Sequence, residues 1–363
     1  MKMDIFYRKL FFGILIVCWG FSLTAQETVT KKIEKSARFS SSGTMQITNT
    51  YGDININGWN KNFIDITVAI EVTNKKKDKA EELLNRIKAE FKINESLALI
   101  TTHIEEKSVG FFAKYFNKVN PFDEDMSDVK IDYTINVPYK VEIALTNRFG
   151  DVIFTGWTGK LKANLEHGDM WINDAISKAH ITSKFGKIKT KDLSYGSISI
   201  ENGELQVEEA HQLYLSSSGS TIFLEKAQVL DITSSKDEID INTVGNLQGS
   251  FNFSNVKVNS LLEELGVTAK VADIKIEHIE KENPKLFIEQ ESSEFNINIS
   301  GVSFAFNALL EEGVLRIPKT FKDISSDIIN NSKKIRKIKA TYGNGTKGDF
   351  SIKGDKGIII LKE

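Results

Sequence analysis

Cysteine is almost absent from this sequence, since the 363 residues include a single one, Cys18, close to the N-terminus. The rest of the chain therefore has no disulfide and no thiol that could catalyse a reaction or bind a metal. Proline is also scarce, with 4 residues against 24 glycines, which fits a chain of strands and turns. None of the five histidines forms HExxH or another close pair. The sequence thus predicts no metal site, no cofactor and no catalytic residue.

An excess of charge of one sign is lacking as well. The formal net charge is −2, apolar residues make up 40% and charged residues 26%, which is ordinary for a folded protein. Removing residues 1–25, with three basic residues and one acidic residue, brings the net charge to −4. This balance argues against nucleic acid or an anionic membrane surface as a partner of the whole chain.

The first 25 residues have the pattern of a secretory signal. A basic head with Arg8 and Lys9 precedes an apolar run over residues 10–19, and Ala25 ends the segment on a small residue. An uncleaved membrane anchor is the alternative, but the run is shorter than the ~20 residues that a membrane span needs. We therefore expect cleavage after Ala25, no transmembrane segment afterwards, and export to the periplasm or the outer cell surface.

A repeat lies at the centre of the sequence, between residues 147 and 193. Three glycines lie 18 residues apart, each preceded by a ring and followed by a charged residue and a short alternating apolar segment. The three motifs are Phe149-Gly150-Asp151, His167-Gly168-Asp169 and Phe185-Gly186-Lys187. Repetition at a short fixed period predicts an all-β solenoid of parallel strands, with neighbouring rungs ~4.8 Å apart and about 18–22 residues long.

The same spacing predicts the domain organisation. We expect a flexible lead-in over residues 26–36, N-terminal rungs over 37–140, the main solenoid over 141–300, and C-terminal rungs with a cap over 301–363. An amphipathic helix is predicted over residues 75–91, within the N-terminal rungs. The glycine period is expected to resume at positions 219, 237 and 255. In the C-terminal part, residues 321–331 are expected to form a short helix or turn.

Several motifs resemble those of a known family, the head-GIN-like putative adhesin domains of secreted bacterial proteins. The motifs are Tyr51-Gly52-Asp53-Ile54 with Gly58-Trp59-Asn60, Ile131-Asp132-Tyr133 leading to Val137-Pro138, and the serial glycine turns from Gly150 to Gly219. The likeness covers roughly residues 37–363. It implies a right-handed parallel β-solenoid exported to the cell envelope, and it transfers no catalytic residue.

The aspartates of the glycine turns are candidate ligand contacts. Asp53, Asp151 and Asp169 would form a line along one edge, which could bind Ca²⁺ or act as acid and base on a polysaccharide. A structural role is favoured, in which the glycine takes a positive φ and the aspartate bonds its own backbone. The line is also interrupted, since Lys187 follows the third glycine.

Aromatic and charged clusters provide the other candidates. Trp59, Trp157 and Trp171 could contact carbohydrate, although Trp59 and Trp157 both lie seven residues after a glycine, which favours packing. The ring cluster at residues 111–116 is predicted to pack or to bind, and the acids at residues 123–128 to form a solvated loop rather than a cation site. A basic run over residues 332–339 is expected to be a solvated surface, with a polyanionic partner as the alternative.

These features favour a non-enzymatic interaction module whose partner is a glycan or an envelope protein. A polysaccharide-active enzyme is the first alternative, and it would require a cleft with two or more acids and basic neighbours. A periplasmic scaffold is the second alternative.

Overall fold

The computed structural model describes residues 26–105, 127–345 and 347–363. The expected signal segment, the ring cluster at residues 111–116 and the acids at residues 123–125 lie outside the described residues. Within them the chain is all-β, with 26 strands in an open sheet and one short helix. None of the helices described here is long and apolar enough to cross a membrane.

The chain forms two compact units. Among the described residues, the first unit contains 26–32, 69–88, 104–105 and 127–130, and the second contains 33–68, 89–103 and 131–363. The N-terminal elements are β1 (Glu27–Arg38), β2 (Thr44–Tyr51), β3 (Ile54–Trp59), β4 (Phe63–Asn74), α1 (Lys77–Arg86), β5 (Ile87–Ile93), β6 (Leu97–Ile104) and β7 (Asp128–Pro138).

The remaining strands belong to the second unit. They begin with β8 (Glu142–Phe149), β9 (Val152–Thr155), β10 (Lys160–Glu166), β11 (Met170–Ile176), β12 (Lys178–Lys184), β13 (Lys187–Glu201), β14 (Glu204–Ser218), β15 (Thr221–Ser235), β16 (Glu238–Asn252) and β17 (Asn255–Lys270). They continue with β18 (Asp273–Ile276), β19 (Lys285–Glu291), β20 (Glu294–Asn298), β21 (Phe304–Glu311), β22 (Val314–Arg316), β23 (Lys322–Asn330), β24 (Ile335–Tyr342), β25 (Asp349–Asp355) and β26 (Ile358–Lys362).

The helix is shorter than the sequence predicted. It spans Lys77–Arg86, with Asp78 in the first turn and Arg86 in the last, and both charges complement the helix dipole. Ile87 and Phe91, which the helical spacing included, belong to β5 instead. From residue 87 to 93 apolar and charged residues alternate, so a strand fits this segment better than a helix. The expected flexible lead-in is also wrong, because Glu27–Arg38 forms β1 and pairs with β4.

Parallel pairing connects the segments from β8 to β20, and we call this array the parallel ladder. Lys160 pairs with Lys178, 18 residues later. From β13 onward the step is 17 residues, as in the pair of Lys187 with Glu204, and the change falls at a bulge in β11. The continued 18-residue spacing that the sequence predicted beyond position 187 is therefore wrong.

The core of the parallel ladder consists of aliphatic and aromatic columns. One column runs through register partners on successive strands, and each member is at most 3% exposed. Its members are Ile188, Leu205, Ile222, Ile239, Val256, Ile274, Phe295 and Ile359. Full burial of one such side chain contributes roughly 1.5–3 kcal/mol, and each is buried largely by the segments on either side.

Both ends of the ladder depart from chain order. At the N-terminal end, β2 lies between β6 and β8, and β3 lies between β7 and β9. At the other end, β25 lies between β19 and β21, and β26 between β20 and β22. The C-terminal strands are thus inserted into the sheet rather than added at its end. The sheet instead ends in the antiparallel strands β21, β24 and β23.

Candidate interaction surface

A single line of turns runs along the parallel ladder, and we call it the turn edge. At each turn the backbone N–H donates to a carbonyl at the end of the following segment, as from His167 to Lys184 (3.0 Å) and from Phe185 to Glu201 (3.1 Å). From His167 onward the turn residue has a left-handed φ of 51–61°. The turn edge comprises Tyr51, Phe149, His167, Phe185, Asn202, Gly219, Lys236, Phe253, Val271 and Ser292.

The glycines after these residues do not all act as the sequence predicted. Gly150 has a positive φ of 133°, as expected. At the next two turns, however, the left-handed residues are His167 and Phe185. Gly168 is needed for a different reason, because a Cβ there would lie 2.0 Å from the Gly150 carbonyl oxygen. The close approach of neighbouring turns therefore requires the glycine.

The aspartates form a ladder between turns instead of bonding their own backbone. The Asp53 carboxylate accepts from the Asp151 N–H (3.0 Å), Asp151 accepts from Asp169 (2.9 Å), and Asp169 accepts from Lys187 (2.8 Å). Asp53 in turn donates its N–H to Asp132 (2.8 Å). These half-buried carboxylates hold successive turns in register, and Lys187 continues the ladder because only its backbone is needed.

Four rings of the turn edge are stacked face to face. Tyr51 and Phe149 have centroids 5.7 Å apart, Phe149 and His167 5.2 Å, and His167 and Phe185 4.9 Å, with interplanar angles of 7–11°. Arg148 lies over Phe149 at 5.2 Å and pairs with Glu166 at 2.9 Å. Burial raises the pKa of Tyr51, and the nearby Arg148 opposes this less strongly. Since neighbouring rings cover each other's faces, the stack presents mainly ring edges to solvent.

Two turn-edge residues beyond the stack are apolar and exposed. Phe253 is 55% exposed and Val271 47%, with φ of 55° and 51°. Left-handed φ is unusual for a bulky or β-branched residue and costs on the order of 1–3 kcal/mol. At equivalent turns this chain has Asn202 and Gly219, which tolerate that conformation. The apolar residues are thus not explained by the turn itself.

The three tryptophans have separate environments. Trp157 is fully buried, and its indole N–H donates to the Val141 carbonyl at 3.0 Å. A surface contact through this ring is therefore ruled out, and the packing alternative holds for it. Trp59 is half-buried, donates to the Phe63 carbonyl at 2.9 Å and lies under Lys61 at 4.5 Å. Trp171 is half-buried on β11, so the structure does not bring the three rings together.

Sequence reasoning missed a buried carboxylate on the turn edge. Asp237 is 4% exposed and accepts from the hydroxyls of Ser217 and Ser234, both at 2.6 Å. It also accepts from the backbone N–H groups of Ser220 (2.8 Å) and Ser235 (3.1 Å). Four donors without a printed ion pair make Asp237 a structural link between three segments. The serine-rich stretches around residues 216–220 and 234–235 were the available signal.

A polar cleft of about 410 Å³ lies at β17, β19, β21 and β25. It contains the acids and bases that the enzyme alternative requires: Glu289, Glu291, Glu311, Asp355, Lys270 and Lys353. Glu291, Asp355 and Glu311 are register partners on three adjacent strands. However, Lys270 pairs with Glu291 at 2.9 Å, as Lys184 does with Glu201 at 2.6 Å elsewhere on the ladder. Such cross-strand pairs are a general feature of this surface.

Metal binding has no support in the side-chain arrangement. Within the described ranges, no group of three or more His, Cys, Asp or Glu residues could hold a metal ion.

Comparison with known proteins gives no family. No family model and no curated protein matches the chain. Similar solved structures include a "putative cell adhesion protein" from Clostridium sporogenes, with 12% identity, 92% of this chain and 99% of that chain covered, and a TM-score of 0.19. A "putative lipid binding protein" from Parabacteroides distasonis has 12% identity, coverage of 92% and 97%, and a TM-score of 0.33. A "putative adhesin" from Bacteroides fragilis has 13%, 92%, 97% and 0.29. At these scores the likenesses carry no argument.

Proposed function

We propose that this protein is an exported, non-enzymatic interaction module of the bacterial cell envelope, built as a right-handed parallel β-solenoid. The parallel in-register pairing from β8 to β20 supports a solenoid, and the resemblance of the glycine motifs supports the right hand. The N-terminal sequence pattern supports export.

The observation that carries the proposal is the composition of the turn edge. Phe185 is 49% exposed and Phe253 55%, and both have the left-handed φ that asparagine or glycine would adopt more readily. An exposed apolar side chain in a strained conformation lowers stability without a compensating contact in the monomer. Surface apolar residues arranged in this way are typical of a binding surface.

The partner we propose is a glycan or an envelope protein that lies along the turn edge. Because the ring stack offers edges rather than faces, flat sugar rings would not stack between its members. Contacts would instead involve apolar CH groups and acceptor oxygens, which approach the electropositive ring edge favourably. Either a polysaccharide chain or an extended protein segment supplies such groups.

The test uses purified protein lacking residues 1–25 and measures binding to isolated bacterial envelopes and to a glycan array. The Phe185→Asn/Phe253→Asn variant should bind at least about tenfold more weakly, as loss of two contact residues implies. Phe287→Thr is the control, since Phe287 is 47% exposed but lies on β19, away from the turn edge. Equal binding by all three proteins would reject the proposed surface.

The location is tested separately by protease treatment of intact cells, with lysed cells as the control. Digestion in intact cells would support a position on the outer surface and an adhesive role. Protection until lysis would support the periplasm, and the scaffold alternative would then replace adhesion.

The polar cleft supports one second candidate, a polysaccharide-active enzyme. Neighbouring in-register carboxylates are separated by roughly the strand spacing of ~4.8 Å, close to the ~5–5.5 Å of retaining glycosidases. A digestion assay should detect new reducing ends or unsaturated products if this candidate holds. Loss of such activity in Glu311→Gln and Asp355→Asn would assign it to the cleft, and no product is our expectation.

A further inference from the structure

The antiparallel pair β23 and β24 forms a hairpin with an uncovered edge. In the described part of the chain β24 is the one strand that pairs with β23, with Ser326 opposite Ile338 and Asp327 opposite Lys337. The outer edge of β23 therefore presents unpaired backbone groups, and all its residues up to Ile329 are exposed. Proteins normally protect such an edge from non-specific pairing.

Three isoleucines of this strand are strongly exposed. Ile324 is 55% exposed, Ile328 64% and Ile329 58%. Ile328 and Ile329 lie beside the connection to β24, so the hairpin tip is apolar on both sides of the strand. Isoleucines elsewhere in the ladder are mostly buried. A concentration of exposed aliphatic side chains marks a surface that contacts an apolar phase or partner.

The hairpin is also basic, although the chain as a whole is not. Residues 322–342 contain six basic and two acidic residues, a formal excess of four positive charges in a chain of net charge −2. The acids are partly engaged, since Asp323 accepts from the Thr341 hydroxyl at 3.0 Å and Asp327 lies opposite Lys337. Lys334 pairs with Glu312 at 3.4 Å. The other basic residues are Lys322, Lys333, Arg336, Lys337 and Lys339.

We propose that this hairpin docks on the surface of an anionic lipid bilayer. The isoleucines would enter the boundary between headgroups and acyl chains, while the lysines and Arg336 contact lipid phosphates. The body of the protein would support the hairpin, because Tyr342 packs on Phe304 and Phe321 with centroids 5.3 and 5.0 Å apart. This inference is independent of a partner on the turn edge.

Charge and polarity favour a bilayer over two other occupants. A second copy of the chain would bring a second hairpin with the same positive excess, and the two would repel each other. A soluble acidic polymer would neutralise the charge but leave the three isoleucines in water. An anionic bilayer supplies both negative charge and an apolar phase.

The test is co-sedimentation of the protein with phosphatidylcholine vesicles that contain about one third phosphatidylglycerol, and with vesicles of phosphatidylcholine alone. Binding should require the anionic lipid and should weaken when the ionic strength rises from about 0.1 to about 0.5 M. Lys333→Gln/Lys334→Gln should reduce the affinity about tenfold or more, since each lysine near such a surface adds on the order of 1 kcal/mol. Ile328→Ser/Ile329→Ser should reduce it similarly. Lys160→Gln/Lys162→Gln on β10 is the matched control and should bind like the parent.

Three results would overturn the proposal. These are no binding to anionic vesicles, equal binding by the hairpin variants and the parent, and equal binding to neutral vesicles. Sedimentation velocity showing self-association that Ile328→Ser/Ile329→Ser abolishes would assign the edge to a second copy. Retention on heparin that depends on the lysines but not on the isoleucines, without vesicle binding, would assign it to an acidic polymer. Because every substituted side chain is exposed, far-ultraviolet circular dichroism should be unchanged in all variants.

Discussion

At the scale of single residues, the turn edge combines strain with exposure, and Phe253 shows this most simply. Its ring is 55% exposed at a φ of 55°, outside the stack formed by Tyr51, Phe149, His167 and Phe185. Phe253→Asn should therefore raise the free energy of unfolding by about 1 kcal/mol, because asparagine tolerates the left-handed region. Urea denaturation measures the change.

The matched comparison is Phe185→Asn. That substitution relieves the same strain but removes the stacking contact with His167, worth about 0.5–1.5 kcal/mol, so the net gain should be smaller. Lower stability of Phe253→Asn than of the parent would show that the ring contributes packing that outweighs the strain.

Asp237 gives the opposite expectation, because the turn depends on its charge and its four accepted hydrogen bonds. An amide at this position places an NH₂ group against serine hydroxyl or backbone donors. Since hydrogen bonds to a charged group contribute ~1.5–3 kcal/mol each, Asp237→Asn should destabilise the protein by about 2–4 kcal/mol in urea. Asp231→Asn, at an exposed position of β15, should change stability by less than about 0.5 kcal/mol. Equal effects of the two substitutions would contradict the proposed role of Asp237.

The sequence predicted some of these residue roles and not others. The common place of Phe149, His167 and Phe185 before a glycine was visible, because a fixed period puts equivalent residues at equivalent turns. The left-handed conformation of His167 was not, because it depends on how closely Gly168 approaches the preceding turn. Likewise, Trp59 and Trp157 follow their glycines at the same distance but differ in burial, since burial depends on neighbouring segments.

At the scale of elements, the end of β24 is joined to the end of the chain. The Tyr342 hydroxyl donates to the Glu363 carboxylate at 2.8 Å, and Thr320 donates to the same oxygen at 2.6 Å. Burial, together with the Glu363 carboxylate, raises the pKa of Tyr342 from 10.0 to about 12. The unfolded chain therefore loses this proton near pH 10, whereas the folded protein keeps it until about pH 12.

That shift predicts an alkaline dependence of stability. The contribution of Tyr342 should be fully present below pH 10 and should disappear as the pH rises toward about 12, because only the unfolded state ionises in this window. Urea denaturation at several pH values between these limits should show a steeper decline for the parent than for Tyr342→Phe. Parallel curves for the two proteins would mean that Tyr342 titrates normally.

Several elements could not be predicted because their partners are distant in sequence. Helix α1 was found, but its end was not, since Ile87 and Phe91 satisfy both helical and strand spacing. Strand β23 was taken for a helix or turn because Ile324, Ile328 and Ile329 do not alternate with polar residues. The insertion of β25 between β19 and β21 leaves no trace in a local pattern. Consequently the hairpin and the polar cleft, which depend on that insertion, were outside the reach of sequence reasoning.

At the scale of the whole molecule, the parallel ladder is organised by register rather than by individual contacts. Residues 187–203 separate two equivalent positions, because Lys187 is the register partner of Glu204. Met170 pairs with Ile188, and Ile188 pairs with Leu205. If this one step were removed, Leu205 could take the place of Ile188 beside Met170, and the buried column would continue.

We therefore expect a protein lacking residues 187–203 to fold, with a sheet shortened by one step. Gly186 would then precede Glu204 in the place that Gly203 occupies now, and the Asp237 network would keep all its donors. Lacking residues 187–204 instead, the chain should fail to fold, because a shift by one residue turns every inward side chain of the following strand outward. Circular dichroism and thermal unfolding distinguish the two proteins. Folding of both, or of neither, would show that the seventeen-residue register is not what specifies the ladder.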